Sequence, residues 1–175
     1  MKLGEYTSLN RPDLLLDFNA YITALELPYM EYVAIGVQDT IHKVSTSIMS
    51  NQTWQKTFKE LNLAADDPIR KAAFGSRVSH FSFDEVDHQN SAGQEAMRQR
   101  KKHGIENGIV FMRRNLTHNF MLTLGTGFKG FNNYRYLIDY YTNINLMFDD
   151  LIKLVTPSTK NYRIIIPTCR AFCAK

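Results

Sequence analysis

Cysteine is scarce in this 175-residue chain, which has only Cys169 and Cys173, both near its end. A disulfide framework is therefore excluded. Also missing is any apolar run long enough to cross a bilayer, and the opening Met1-Lys2-Leu3-Gly4-Glu5-Tyr6 has no secretory core. A cytoplasmic protein that does not touch membranes is the expectation. Charge is modest too. A net charge of +4 does not by itself call for a nucleic-acid partner. The histidines at 42, 80, 88, 103 and 118 fall into no ligand spacing, so neither metal nor cofactor is expected. No nucleophile elbow or phosphate-cradling glycine loop is present, and no catalytic residue is assigned. An enzyme is not expected. Its one available acid–base pair would be Asp67 with His80 or His103, and the sequence does not bring them together.

What the chain does have is apolar and aromatic content, 44% and 12%, enough for one domain with a sizeable core. Arg11-Pro12-Asp13 opens a helix whose Leu14, Phe18, Tyr21, Ile22 and Leu25 recur at helical spacing, ending before Pro28. Tyr32 to Val37 and Ile41 to Met49 read as paired strands joined at Gln38-Asp39-Thr40. Gly36 marks either a close approach to the backbone or a weak point in the first of them. Ser50-Asn51 caps a helix carrying Trp54, Phe58 and Leu61, and Pro68 starts a short one reaching about Phe74. His80 to Phe83 is a brief strand.

Asp84 to His103 reads as a surface helix with a thin stripe of Val86, Ala92, Gly93, Ala96 and Met97. Its end, Arg98 to His103, holds the main basic cluster, either a solvated helix terminus or a phosphate contact. Gly108 to Met112 and Phe120 to Leu124 pair across Arg113 to Asn119. The last helix, capped at Asn132 or Asn133 and stopped by Pro157, presents Tyr134, Leu137, Ile138, Tyr141, Ile144, Phe148, Leu151, Ile152 and Val155 as its core face. Tyr136, Asp139, Tyr140, Asn143 and Met147 are left outside it. Residues 157–175 form a tail, in which Tyr162 to Ile166 could add a strand. Hairpin-linked strands flanked by helices predict a single α/β/α sandwich around an antiparallel sheet of about five strands, PAS- or GAF-like.

One stretch carries chemistry. Trp54 and Phe58 share a helix face, and Asp66-Asp67 precede Pro68, which keeps the carboxylates out of the preceding helix. Phe81-Ser82-Phe83 follows, then Gly104-Ile105-Glu106-Asn107-Gly108. Read alone, the aromatics could equally be core and Asp67 a helix cap. In this order, the set resembles the autoinducer-binding domain of LuxR-type quorum-sensing transcription regulators, over residues 12 to about 156.

That resemblance implies the same sandwich and a signal-sensing role in quorum sensing. It implies a ligand site of Trp54, Phe58, Asp67, Phe83 and Thr123, with Trp54 holding a lactone carbonyl and Asp67 accepting an amide N–H. Thr123 would offer its hydroxyl to the acyl amide. Two positions depart from the pattern: Phe58 stands where Tyr is usual and Phe83 where Trp is usual. The ring at 58 persists without its donor, so a standard acyl-homoserine lactone is expected to bind weakly. The partners implied are a small apolar or acyl-homoserine-lactone-like ligand and a second copy or a related regulator. The family's helix-turn-helix portion is not recognisable in the sequence, so this chain alone is expected not to bind DNA. An enzyme acting on acyl or lactone substrates and a ligand-free interaction module are the alternatives.

Overall fold

The computed structural model describes residues 12–156. Five strands form one sheet in the order β2-β1-β5-β4-β3, every neighbouring pair antiparallel. They are β1 (Tyr32–Asp39), β2 (Ser45–Met49), β3 (His80–Ser82), β4 (Asn107–Arg114) and β5 (His118–Thr126). The helices are α1 (Pro12–Leu25), α2 (Gln52–Glu60), α3 (Pro68–Gly75), α4 (Ser91–Lys102) and α5 (Asn133–Val155). The antiparallel α/β/α sandwich is as the sequence predicts.

Alternation along the strands divides the core in two. Val33, Ile35, Val37, Phe120, Leu122, Leu124, Ile109 and Phe111 face α1 and α5, where they meet Phe18, Ile144, Phe148 and Leu151. Fully burying a side chain such as Phe18 or Phe148 stabilises the fold by roughly 1.5–3 kcal/mol. The Tyr21 hydroxyl donates to Asp150 at 3.1 Å, tying α1 to α5. On the opposite face, Tyr32, Ala34, Val110 and Met112 pack against Trp54, Phe58, Ile69, Phe81, Phe83 and Met97.

Several boundaries differ from the sequence reading. The first hairpin turns later than expected because the Asp39 carboxylate accepts from the amides of Ile41 and His42, at 2.8 and 2.9 Å, and closes a loop there. Residues 41–44 therefore belong to the turn, and β2 begins at Ser45. β3 ends at Ser82, and Phe83 opens a 3-10 turn to Glu85. No continuous helix covers Asp84 to His103. The chain is extended after Val86, and α4 starts only where Asn90 accepts from the Gly93 amide at 2.7 Å.

The largest correction is in α5. Tyr136 and Met147 are buried, whereas Tyr134, Ile138 and Tyr141 are 60%, 75% and 49% exposed. Its N-terminal half is thus rotated from the expected face. A long helix offers more than one apolar stripe, and packing on the curved sheet selects among them. The expected strand at Tyr162 to Ile166 and both cysteines lie outside the described residues.

Candidate functional site

A cavity of about 70 Å³ lies between the sheet and α2–α3, beside β2. Its apolar wall includes Ala34, Met49, Phe58, Ala64, Ile69, Phe74 and Met121, and its polar lining includes Asp67, Arg70, Arg100, Thr123 and Ser45 to Ser47. Three of the expected site residues, Phe58, Asp67 and Thr123, therefore share one wall system. Their convergence follows from local structure. Asn51 caps α2 by accepting from the Trp54 amide at 2.9 Å, which turns Trp54 and then Phe58 inward. Asp67 caps α3, accepting from the Ile69 amide at 3.1 Å, so its carboxylate is fixed at the helix start. Thr123 reaches the same face through the register Ala34–Thr123–Val110.

Trp54 and Phe83 stand behind this wall, with an arginine between them and the cavity. The Arg100 guanidinium lies 5.3 Å from the Trp54 ring and 5.4 Å from the Phe83 ring. Its Nη2 donates to Asp67 Oδ2 at 2.8 Å, and the side chains of both residues are only 4% exposed. Trp54 packs edge-on against Phe58 as well, with ring centroids 5.3 Å apart. Both oxygens of Asp67 are thus engaged, one by the α3 amide and one by Arg100.

Two buried donors are left over. Trp54 Nε1 and Arg100 Nε complete no hydrogen bond among the described residues. The Tyr32 hydroxyl is close enough to both side chains to feel them, although Trp54 Nε1 meets no full hydrogen-bond geometry with it. Burial pushes the Tyr32 pKa up to about 12, and the nearby positive charge of Arg100 opposes that rise.

Glycine and backbone make the close packing possible. At Gly108, a Cβ would lie 2.3 Å from the Leu124 carbonyl oxygen and 2.7 Å from the Phe83 ring. Only glycine lets Phe83 cross β4 there. At Gly36 the close approach is by Met121, whose terminal methyl would lie 3.3 Å from an added Cβ.

Sequence reasoning missed Arg100, Arg70 and Tyr32. Arg100 looked like part of a solvated cluster, yet it continues the stripe of Gly93, Ala96 and Met97 at helical spacing, and all four are buried. That periodicity was the available signal. Asp67 and His80 make no contact that would support acid–base catalysis: Asp67 is held by Arg100, while His80 lies against Phe111 and Tyr141. His103 instead meets Thr57 and the Gln99 carbonyl, and packs beside Trp54. Among the described residues, no cluster of three or more His, Cys, Asp or Glu could hold a metal, and no helix is long and apolar enough to cross a membrane.

An antiparallel sheet between two helical layers, with a carboxylate and aromatic rings beside a partly open cavity, is an architecture suited to a ligand-sensing α/β/α domain. Residues 13–131 match the autoinducer binding domain family, and the chain belongs to it. It is a signal-sensing domain of the autoinducer-binding kind. No curated protein matches it by sequence.

Solved structures agree on the fold. An N-acylhomoserine-lactone-dependent LuxR-family transcription factor, CepR2 from Burkholderia cenocepacia, is similar with a TM-score of 0.56 at 10% identity, covering 80% of this chain and 92% of its own. Escherichia coli SdiA gives 0.56 at 13% identity, over 82% of this chain and 58% of the SdiA chain. SdiA in complex with octanoyl-rac-glycerol gives 0.53 at 15% identity, over 93% and 74%.

Proposed function

We propose that the cavity beside β2 is the signal site, and that it takes a small, largely apolar acyl molecule. The observation that carries this reading is the buried Asp67–Arg100 pair, set against aromatic rings in the wall of a largely apolar cavity. A few fixed polar groups in an apolar enclosure are the usual design of a small-molecule site. Phe58, Asp67 and Thr123 would touch the ligand directly. Trp54 and Phe83 would act through Arg100, and would reach the ligand only if that side chain moved. Of the similar proteins, CepR2 is described as N-acylhomoserine-lactone dependent and SdiA is found in complex with octanoyl-rac-glycerol, both acyl compounds.

The protein would sense its ligand without turning it over, in the cytoplasm, and would pair with a second copy or a related regulator through the outer face of α5. A second reading is favoured by one observation. Arg100 already takes the Asp67 oxygen that a ligand amide would use, as in a ligand-free interaction module.

NMR titration with a panel of short acyl compounds tests the proposal. The expected result is shifts at Phe58, Ile69 and Thr123. No shift with any compound, together with no small molecule retained from cell extract in native mass spectrometry, would overturn it in favour of the ligand-free module.

A further inference from the structure

We propose that this cavity selects an aliphatic carboxylate over a neutral acyl amide or lactone, with Arg70 and Arg100 as its anion-recognising residues. The inference rests on the signal-site reading above and names the ligand's chemical class.

Charge on the wall comes first. Among the described residues, the charged ones lining the cavity are Arg70, Arg100 and Asp67, two cations against one anion, which leaves one of those positive charges without a counter-charge in the lining. Asp67 accepts from Arg100 and from the amide of Ile69, one bond to each oxygen, and its charge is balanced by Arg100. Arg70 is not neutralised in the same way. Its Nη1 donates to the Ala64 carbonyl at 2.6 Å and its Nη2 to the Ser45 hydroxyl, both neutral oxygens, while its guanidinium lies 5.5 Å from the Phe74 ring.

Hydrogen-bonding capacity points the same way. Arg100 Nε is a buried donor that finds no partner among the described residues. A buried donor left unmade is costly, and an incoming oxygen that accepts from it recovers that loss. A carboxylate brings acceptors and no donor. A neutral amide brings an acceptor too, but no charge to balance the second arginine.

Size limits the chain. A cavity of about 70 Å³ has room for on the order of five water-sized groups. A carboxylate of about three carbons fits with its head toward the arginines and its tail toward Met49 and Met121, whose unbranched side chains adapt to shape.

The test is NMR titration of the full chain with propanoate, propanamide and the small neutral lactone γ-butyrolactone. Propanoate is expected to bind about tenfold or more tightly than either neutral compound. Arg70→Met should reduce that preference and leave the buried pair intact. Because Arg100 alone cannot be removed without stranding Asp67, the second variant is Asp67→Asn/Arg100→Gln, in which the preference should fall further. Equal or tighter binding of propanamide or the lactone to the unaltered protein would overturn the carboxylate assignment alone, since the cavity would still hold an acyl compound. Binding of none of the three would overturn the carboxylate assignment, and the signal-site reading falls with it only if native mass spectrometry also finds no small molecule retained from cell extract.

Discussion

Arg100 Nη2 lies 2.8 Å from Asp67 Oδ2, with both side chains withdrawn from water and 33 positions apart in the chain. The contact joins the last turns of α4 to the start of α3. Gly93 allows it: a Cβ there would lie 3.4 Å from Pro68 and 3.1 Å from the Asn90 carboxamide oxygen, so the two helices approach closely. In a low-dielectric interior, neither charge is tolerable without the other.

That pairing sets the first prediction. Arg100→Met or Asp67→Leu, made singly, should each cost about 3–5 kcal/mol, because a bare charge is left buried. The double substitution should cost less than either single one, since an apolar pair needs no desolvation. Urea denaturation of the three variants reads the coupling directly. Additive losses would mean that the two charges do not depend on one another.

Gly108→Ala should destabilise the domain by about 1–3 kcal/mol or more, through overpacking at β4. Adding Phe83→Leu should recover only part of this, because the Leu124 carbonyl still occupies the space a Cβ needs. Thermal unfolding of the single and double variants checks it.

Ile138→Glu should leave stability within about 0.5 kcal/mol, since the side chain is 75% exposed. If α5 pairs two chains, the same change should shift the protein to monomer in sedimentation velocity. Tyr134 and Tyr141, one helical turn to either side, belong to the same exposed stripe.

The Asp39 carboxylate is held down to a pKa of about 2, chiefly by its hydrogen bond with His42 and then by the His42 and Ile41 amides. A carboxylate depressed in the folded state stabilises above its unfolded pKa and loses that contribution as pH falls through the folded value. The loss should therefore fall between about pH 4 and pH 2. Asp39→Asn should flatten the dependence of stability on pH across that window, as followed by circular dichroism.

The sandwich was legible because period is local. The β-branched and apolar runs of β1, β4 and β5 and the caps at Asn51, Asp67 and Asn132 act through neighbouring residues, and each holds in the structure. The α5 face was misread because Tyr134, Ile138 and Tyr141 are as apolar as Tyr136 and Met147, and period alone cannot rank two stripes on one helix. In the site, Trp54, Phe58, Asp67 and Phe83 were visible as an ordered set, while Arg100 was hidden by the cations around it.

By itself, the sequence determined the element types, the antiparallel pairing and the polar and aromatic residues available to a cavity, since these rest on spacing, caps and turn chemistry within a few positions. Only the tertiary structure decided that Arg100 is buried rather than solvated. Burying a guanidinium is favourable only where a carboxylate and aromatic faces await it, and those come from α3, α2 and the turn after β3, brought to α4 by the folded sheet.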